Sequence, residues 1–538
     1  MELITAQTLW KDYNPRNIPL AETVLSTEYA DKYSVKHVYF NGEATGDGCT
    51  RIYARLYSPA SIPTGASAVL MNDIETPFDP TYIDMLTDCG YTVLALDYAG
   101  KRDEGMFTIY PESLKRANYF TPDSGFYKLP SNPKLSCWYV YASVMLRGFV
   151  YLENQPGLDK NRICFFGVKR GAFQVYKAAY LMPEAACAAA LFNSAYVPEL
   201  DVNSDEAMVY NTCLSNATYA PLIKAPTYII ESSNNRENSL FKINSLYINS
   251  SQSCRFYIAE HSDNSLNADQ RKSLISFLNN QCFSHRELPK PPVLEAKNSD
   301  RALYYESKFF DPQELDSVSL YYSYGAAEGA YRNWSRLNLQ RVSEDEYIVK
   351  ADVYLLKDEA SAYVTAKYKN GFIESSEIVT KTPLLMGVAA KEIVKSRLVY
   401  DTEMGTDDWL ITLAGASGEI YIAEGGSGIS GVTSSVNSIT TLKIGDVHTC
   451  GERDSLLQLL VYSRRIQMLT VLVTCRTESG YVTYTSSMSP QNYEEWSKIT
   501  LSADEFKSPE GPMQGWNNAV SITVNSESEL LINSLLWI

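Results

Sequence analysis

Residues 152–172 read LENQPGLDKNRICFFGVKRGA, in which an apolar run meets a turn between two glycines. The apolar centre, ICFF, predicts a buried strand, and the amphipathic stretch Ala172–Leu181 predicts the helix that follows it. Gly167 and Gly171 bracket the junction, where residues without a Cβ atom let the backbone turn sharply. The stretch therefore predicts a strand, a tight turn with Lys169 at its tip, and a helix.

Short apolar runs alternate with helical patterns on both sides of this turn, from about residue 35 to residue 285. Strands separated by helices predict a mostly parallel sheet that is covered by helices on both faces. A last helix is predicted after a polar start at Asn267 and Asp269, because Leu274 and Phe277 share its inner face. The predicted strands are residues 51–56, 68–71, 92–96, 163–166, 188–192, 227–230 and 255–258.

Two further regions read as β-structure. Residues 284–300, SHRELPKPPVLEAKNSD, carry three prolines among charges and predict a linker. Beyond it the apolar period changes to two, with a hairpin turn predicted at Asn370 and Gly371, which favours an immunoglobulin-like sandwich. The last region has many short strand patterns between Gly, Ser and Asp turns, which favours a jelly roll. The predicted α/β, sandwich and jelly-roll domains are residues 1–285, 286–388 and 389–538.

Composition argues against several kinds of partner. The net charge of -16 disfavours nucleic acid and anionic membranes, because both would be repelled. No C-x-x-C pair and no histidine cluster is present, so no metal site is predicted. Residues 426–431, GSGISG, match a dinucleotide pattern but neither follow a crossover strand nor open a helix, and are interpreted as a turn. No cofactor is expected.

The start of the sequence has no basic segment followed by a long apolar one, so no signal peptide is predicted. No apolar run approaches the roughly 18 residues needed to span a bilayer. As written, the chain is expected to be cytoplasmic with reduced thiols and no membrane partner. An extracellular location is the alternative if an export signal has been removed. The oligomeric state is left open.

Three other segments follow the same strand-and-loop order as the turn described first. They are residues 90–100 (GYTVLALDYAG), 224–235 (KAPTYIIESSNN) and 255–280 (RFYIAEHSDNSLNADQRKSLISFLNN). Together the four segments resemble the acetyl xylan esterase, dienelactone hydrolase and prolyl-oligopeptidase-type branch of the α/β-hydrolases. The resemblance implies an α/β-hydrolase fold for the first domain.

The resemblance places Lys169, Asn235 and His261 at the positions of the catalytic nucleophile, acid and base. The family's turn reads G-x-S-x-G, whereas this chain has GVKRG, and none of its serines has glycine at both i−2 and i+2. Loss of the serine removes the acyl acceptor, and an amide at the acid position cannot stabilise an imidazolium. A degenerate, noncatalytic protein is therefore the first hypothesis.

Two other hypotheses stay open. The second hypothesis is an active hydrolase or lyase with an unorthodox site around Lys169 and His261, because a desolvated lysine can attack a carbonyl group. In that case Arg170, Asn72 and Asp73 occupy the positions at which the family stabilises an oxyanion. A purely structural scaffold is the third. Whether the protein is an enzyme is left undecided.

A second resemblance concerns the C-terminal region. Residues 496–511 (WSKITLSADEFKSPEG), followed by Trp516 and a closing apolar strand, resemble the galactose-binding-like jelly rolls of carbohydrate-active proteins. This resemblance implies a carbohydrate or small acyl ligand, with sugar faces stacked on exposed aromatic rings. Trp409, Trp516, Tyr421 and Tyr493 are the candidate ligand-binding residues, with core packing as the alternative for each.

Overall fold

The structure is a computed structural model that describes residues 4–60, 65–102, 105–126, 128–192, 201, 203–237, 239–264, 266–299, 301–325, 329–412, 418–490 and 492–538. Over these residues the chain forms five β-sheets in three successive groups. The first group is one mainly parallel sheet with helices, and the other two are pairs of antiparallel sheets.

The first group is a nine-stranded sheet, counted over the described residues. Its strands are β1 (Thr23–Tyr29), β2 (Tyr33–Thr45), β3 (Gly48–Pro59), β4 (Ala66–Asn72), β5 (Thr92–Asp97), β6 (Leu158–Val168), β7 (Cys187–Leu191), β8 (Thr227–Ser232) and β9 (Cys254–Ala259). They lie in the order β1-β2-β3-β5-β4-β6-β7-β8-β9, antiparallel as far as β5 and parallel from β5 onward. The predicted mostly parallel sheet is confirmed.

Helices cover both faces of this sheet. Within the described part of the chain the α-helices are α1 (Ala6–Trp10), α2 (Pro80–Asp88), α3 (Cys137–Glu153), α4 (Ala172–Leu181), α5 (Asp205–Val209), α6 (Asn216–Tyr219), α7 (Leu240–Ile248) and α8 (Ala268–Asn279). Helix α4 has the predicted bounds, and α8 begins directly after its predicted polar start at Asn267. Among these described helices, none has the length and apolar character required to cross a membrane.

The central strands are buried on both faces. In β4, Ala68 and Leu70 belong to the apolar core that contains α3 and α4. Val69 and Met71 belong to the opposite core, which contains α2 and α8. A strand between two apolar layers carries apolar residues at every position, so it reads as a continuous apolar run in the sequence.

Strands β1 and β2 have no counterpart among the predicted strands. Every residue of β1 is exposed, so this strand shows neither a continuous apolar run nor an alternation of apolar residues. It is held by antiparallel pairing with β2, in which Thr23 lies opposite Tyr39 and Tyr29 lies opposite Ser34. Backbone pairing at a solvated edge imposes little residue pattern, so the sequence carried no signal for it.

The second group consists of two antiparallel sheets. One contains β10 (Val293–Ser299), β11 (Ala302–Lys308), β14 (Gln340–Arg341) and β15 (Glu346–Ala351), and the other contains β12 (Leu315–Tyr324), β13 (Ser335–Leu337), β16 (Ala360–Tyr368), β17 (Ile373–Ser375) and β18 (Val379–Lys381). The hairpin turn predicted at Asn370 and Gly371 is confirmed: Gly371 has a φ of +86°, and its N–H donates to the Tyr368 carbonyl at 2.8 Å. The linker predicted over residues 284–300 is too long, because β10 lies within it.

The third group is also formed by two antiparallel sheets. Its strands are β19 (Leu398–Asp401), β20 (Trp409–Leu410), β21 (Ile420–Glu424), β22 (Ser430–Ser434), β23 (Ser438–Thr441), β24 (Leu457–Ser463), β25 (Leu469–Thr477), β26 (Gly480–Met488), β27 (Trp496–Leu501), β28 (Lys507–Ser508), β29 (Gly511–Pro512), β30 (Ala519–Ser526) and β31 (Leu530–Trp537). The glycine pattern GSGISG joins β21 to β22, so its interpretation as a turn is confirmed. Both C-terminal groups are consistent with β-sandwich domains.

The second group covers an edge of the first sheet. Strand β17 lies along β9, where the Ile258 N–H donates to Ser375 Oγ at 3.0 Å. The Ile373 N–H donates to Ser273 Oγ at 2.8 Å, and the Tyr228 hydroxyl donates to the Ile373 carbonyl at 2.5 Å. The first of these bonds satisfies an N–H group of the edge strand β9, and the second group thereby covers an edge that would otherwise be open to pairing with other chains.

A buried ion pair lies in the same interface. Glu374 is fully buried, and one of its carboxylate oxygens lies 3.2 Å from Arg255 Nε. Burial raises the pKa of Glu374 well above its ordinary value, and the positive charge of Arg255 opposes that rise. Removing either partner alone leaves the other poorly compensated, so the pair fixes how the two groups dock.

Helix α4 carries a buried lysine. The Lys177 side chain is fully buried, and its Nζ donates to Asn216 Oδ1 at 3.3 Å. The same nitrogen lies 3.8 Å from the centroid of the Phe173 ring and 5.3 Å from that of Tyr219. Burial lowers the pKa of Lys177 well below its ordinary value, so the fold favours the neutral amine.

We expect Lys177→Met to stabilise the protein by about 1 kcal/mol or more at low pH and to weaken the pH dependence of its stability. The unfolded chain holds a proton on this lysine up to about pH 10, whereas the folded chain releases it earlier. The unfolded state therefore binds more protons, and wild-type stability rises with pH over that window. Thermal unfolding at about pH 6 and about pH 9 measures how steeply the stability changes with pH. The exposed Lys160→Met is the control, and an unchanged slope in Lys177→Met would contradict the assignment.

Candidate functional site

The turn after β6 has the geometry of a nucleophile elbow with a lysine at its tip. Lys169 has a φ of +51°, a left-handed conformation that is uncommon for residues other than glycine. It lies between Val168, which ends β6, and Ala172, which begins α4. In hydrolases a strained turn of this kind lifts the nucleophile above the sheet edge. In this structure the residue at the tip of such a turn is a lysine, which has no hydroxyl group.

Two close contacts require glycine on either side of Lys169. A Cβ atom on Gly171 would lie 2.0 Å from the Asn72 carbonyl oxygen. A Cβ atom on Gly167 would lie 2.6 Å from Ala172 Cα. Gly167 also pairs with Asn72 across the parallel strands β6 and β4. The elbow therefore packs directly against the carboxyl end of β4.

The Lys169 side chain is half-buried between acidic groups. Burial raises the pKa of Asp73, and hydrogen bonds from Thr76 and the Glu75 amide together with the Lys169 charge oppose the rise. Burial also raises the pKa of Glu237, again opposed by Lys169. The Lys169 charge therefore lowers the pKa of two carboxyl groups near the sheet edge, those of Asp73 and Glu237, against the effect of burial.

Arg170 fills the space next to the elbow. Its guanidinium donates hydrogen bonds to Glu75 Oε1 and to the Tyr119 hydroxyl. It also lies 5.5 Å from the centroid of the Tyr119 ring and 5.7 Å from that of Phe126. The side chain predicted at the oxyanion position is thus engaged in an ion pair over aromatic rings.

The other two predicted oxyanion residues are buried and engaged locally. Asn72 Nδ2 donates to the Gly171 carbonyl at 3.4 Å. The Asp73 carboxylate accepts from the Glu75 N–H at 3.0 Å and from Thr76 Oγ1 at 2.8 Å. These bonds stabilise the turn after β4, and the Asp73 carboxylate would repel an oxyanion placed beside it.

Asn235, at the acid position, is buried and bonded within its own loop. Its Nδ2 donates to Glu231 Oε1 at 2.8 Å, and its Oδ1 accepts from the Glu237 N–H at 2.8 Å. The amide carries no charge with which to hold an imidazolium. Its two described side-chain bonds orient the loop after β8.

His261, at the base position, is bonded to the second group of sheets. Its Nε2 forms a hydrogen bond with the Trp334 carbonyl oxygen. A carbonyl oxygen only accepts, so Nε2 carries the hydrogen and is not available as a base toward a nucleophile. The neighbouring loop is held in the same way, because Asn234 Nδ2 donates to the Arg332 carbonyl at 2.8 Å and to the Ala330 carbonyl at 3.3 Å. Residues 329–334 thus bind the loops that follow β8 and β9, and we call these residues the docking segment.

The third group of sheets reaches the same edge. Arg236 forms an ion pair with Asp263, with Nε 3.0 Å from the carboxylate, and its Nη2 donates to the Thr412 carbonyl. Tyr331 of the docking segment packs against Tyr481, with ring centroids 4.3 Å apart. The loops at the carboxyl edge of the first sheet therefore contact both C-terminal groups.

Two of the predicted ligand-binding aromatic residues are buried. Trp516 is 0% exposed and lies in the core of the third group, edge-to-face with Trp537 at 5.2 Å. Trp409 is 2% exposed and packs edge-to-face on Tyr400 at 5.0 Å. Trp516 therefore presents no ring face to a ligand, and its placement is that of a core residue.

The other two are on the surface. Tyr421 is 39% exposed, and its hydroxyl donates to Glu529 at 3.2 Å. Tyr493 is 53% exposed and lies before β27. Both rings are accessible to a ligand, unlike that of Trp516.

A cleft of about 470 Å³ brings residues from two of the predicted sites together. His261 of the first group and Trp409 of the third both line it. The lining also includes Tyr321 and Arg336 of the second group and Asp407 of the third. Sequence reasoning did not select these last three, because a polar or aromatic residue on a strand or turn has no motif that marks it as part of a cleft.

No protein-family model matches this chain, and no curated protein matches it. Solved structures are similar over about half of it. An acetyl xylan esterase from a Paenibacillus species is 17% identical, with 51% of this chain and 91% of that chain covered and a TM-score of 0.41. An acetyl xylan esterase from a Thermoanaerobacterium species is 13% identical (49% and 89% covered, TM-score 0.37). A glucuronoyl esterase from Solibacter usitatus is 13% identical (52% and 94% covered, TM-score 0.35).

We expect Gly171→Ala to destabilise the protein by roughly 3 kcal/mol, because its new methyl group overlaps the Asn72 carbonyl and the packed strands cannot move apart. Chemical denaturation followed by circular dichroism measures the loss. Gly46→Ala is the matched control, since no atom lies within 4 Å of its added Cβ. A loss for Gly171→Ala no larger than for this control would show that the elbow does not pack on β4 as described.

Proposed function

We propose that this protein is a noncatalytic α/β-hydrolase-like protein that binds a carbohydrate or acylated-sugar ligand. The hydrogen bond from His261 to the Trp334 carbonyl is the observation that carries the noncatalytic part. It uses the imidazole nitrogen that a serine hydrolase directs at its nucleophile, and it ties that nitrogen to a neighbouring domain.

The remaining triad positions support the same proposal. Lys169 has no hydroxyl, and its charge opposes the rise that burial causes in the pKa of Asp73 and of Glu237. Asn235 is neutral and bonded to Glu231. In a serine-protease triad, replacing the acid by its amide alone lowers turnover by about 10⁴. Loss of the nucleophile, the acid and the free base together removes acyl transfer.

The binding part of the proposal rests on the C-terminal groups. We assign residues 286–388 to an immunoglobulin-like sandwich and residues 389–538 to a galactose-binding-like jelly roll, on the sequence patterns described first. Tyr421 and Tyr493 supply accessible rings on which a sugar face can stack. The net charge of -16 favours a neutral ligand over an anionic one.

We expect the wild-type protein to show no turnover of short-chain aryl esters or acetylated xylooligosaccharides above the blank. Lys169→Ser is expected to stay at the blank as well, because His261 remains bonded to Trp334. The double variant Lys169→Ser with Asn235→Asp tests whether a serine and a carboxylate together produce turnover. Steady-state assays measure all three. Wild-type turnover that disappears in Lys169→Ala or His261→Ala would contradict the noncatalytic proposal and support the unorthodox active site.

We expect a glycan ligand to raise the melting temperature of the full chain, because a ligand that binds only the folded state stabilises it. At a concentration of about 100 times its Kd the gain is about 2.7 kcal/mol. Differential scanning calorimetry with neutral and acidic oligosaccharides measures it. An unchanged melting temperature with every sugar would contradict the binding proposal and favour a structural scaffold.

A further inference from the structure

We propose that the cleft between the three groups of sheets is the ligand site and that it takes a neutral saccharide rather than a uronic acid. This inference rests on the proposed carbohydrate-binding function. The cleft has a volume of about 470 Å³. Ligand sites commonly have volumes of roughly 300–1,000 Å³ and are frequent between domains.

Apolar and aromatic side chains form one part of the lining. Tyr257, Tyr321, Trp409 and Ile411 all border the cleft and are each less than one-tenth exposed. They come from all three groups of sheets, so the cleft exists only when the groups are docked. Such a surface suits the C–H face of a sugar ring, which is apolar.

Planar polar groups form the other part. Glu260 and Asn267 are half-buried in the loops after β9, and Arg336, Asp407 and Glu419 are exposed at the rim. Carboxylate, amide and guanidinium groups each present two or more polar atoms in one plane. Pairs of neighbouring sugar hydroxyls can bond to such groups from a single ring.

The charge balance selects the class of saccharide. Asp269 in the lining is paired with Lys367, whose Nζ lies 2.8 Å from its carboxylate. The described lining also contains three further carboxylates, those of Glu260, Asp407 and Glu419, and one guanidinium, that of Arg336. The lining is therefore net negative, so a uronate is repelled, whereas a neutral ring can bond to the same carboxylates through its hydroxyls.

The test is isothermal titration of the full chain with xylotetraose, cellotetraose and mannotetraose as neutral probes and with trigalacturonic acid as the acidic probe. We expect a neutral probe to bind at least tenfold more tightly than the acidic one, with a difference that narrows as salt is added. Arg336→Ala and Asp407→Ala are expected to weaken neutral binding at least tenfold. The matched controls, Arg453→Ala and Asp454→Ala, alter exposed residues outside the cleft lining and are expected to bind like wild type.

Each outcome bears on a different claim. Neutral binding that survives both cleft variants but is lost in Tyr421→Ala or Tyr493→Ala overturns the cleft as the site and leaves the carbohydrate-binding proposal standing. Tighter binding of trigalacturonic acid than of the neutral probes overturns the ligand class. Absence of binding by all four sugars overturns the carbohydrate-binding proposal itself, and the cleft inference with it.

Discussion

The docking of the second group on the carboxyl edge of the first sheet depends on hydrogen bonds between the docking segment, residues 329–334, and the loops at that edge. Trp334 binds His261 through its carbonyl oxygen, and the carbonyls of Arg332 and Ala330 bind Asn234. All of these acceptors are backbone atoms, so the docking imposes few residue requirements on the segment itself. The side chains that it engages belong to the loops that follow β8 and β9.

The hydrogen bond of His261 and the charges around Lys169 lie at the same edge of the first sheet, and each involves this edge in contacts within the fold. A catalytic histidine must turn toward its nucleophile and change protonation during the reaction. A histidine that donates to a fixed carbonyl is held in one tautomer instead. Lys169 and Arg170 meanwhile balance Asp73, Glu75 and Glu237 at the same edge. The carboxyl edge of the first sheet thus contacts both C-terminal groups, and the cleft beside His261 lies where the three groups meet.

Much of the first sheet could be predicted from the sequence, and the reason is burial. Strands such as β4, packed between two layers of helices, are apolar at every position. The elbow could be found as well, because Gly167 and Gly171 are required by contacts below 3 Å that no other residue permits. β1 escaped prediction because it is fully exposed and is held by backbone pairing with β2 and by surface contacts such as the hydrogen bond from Arg51 to Thr23. Trp516 and Tyr493 could not be ranked, since an aromatic residue near a strand reads the same whether its ring is buried or accessible.

The sequence by itself determined the strand–turn–helix unit around Lys169 and the absence of a serine and a carboxylate at the triad positions that the resemblance assigns. These properties depend on residue identity and local spacing. Only the tertiary structure decided that His261 bonds to Trp334, that Arg236 reaches Thr412, and that Trp409 and His261 line one cleft. Those contacts join residues more than 70 positions apart through backbone acceptors and surface shape, and neither leaves a pattern in the sequence.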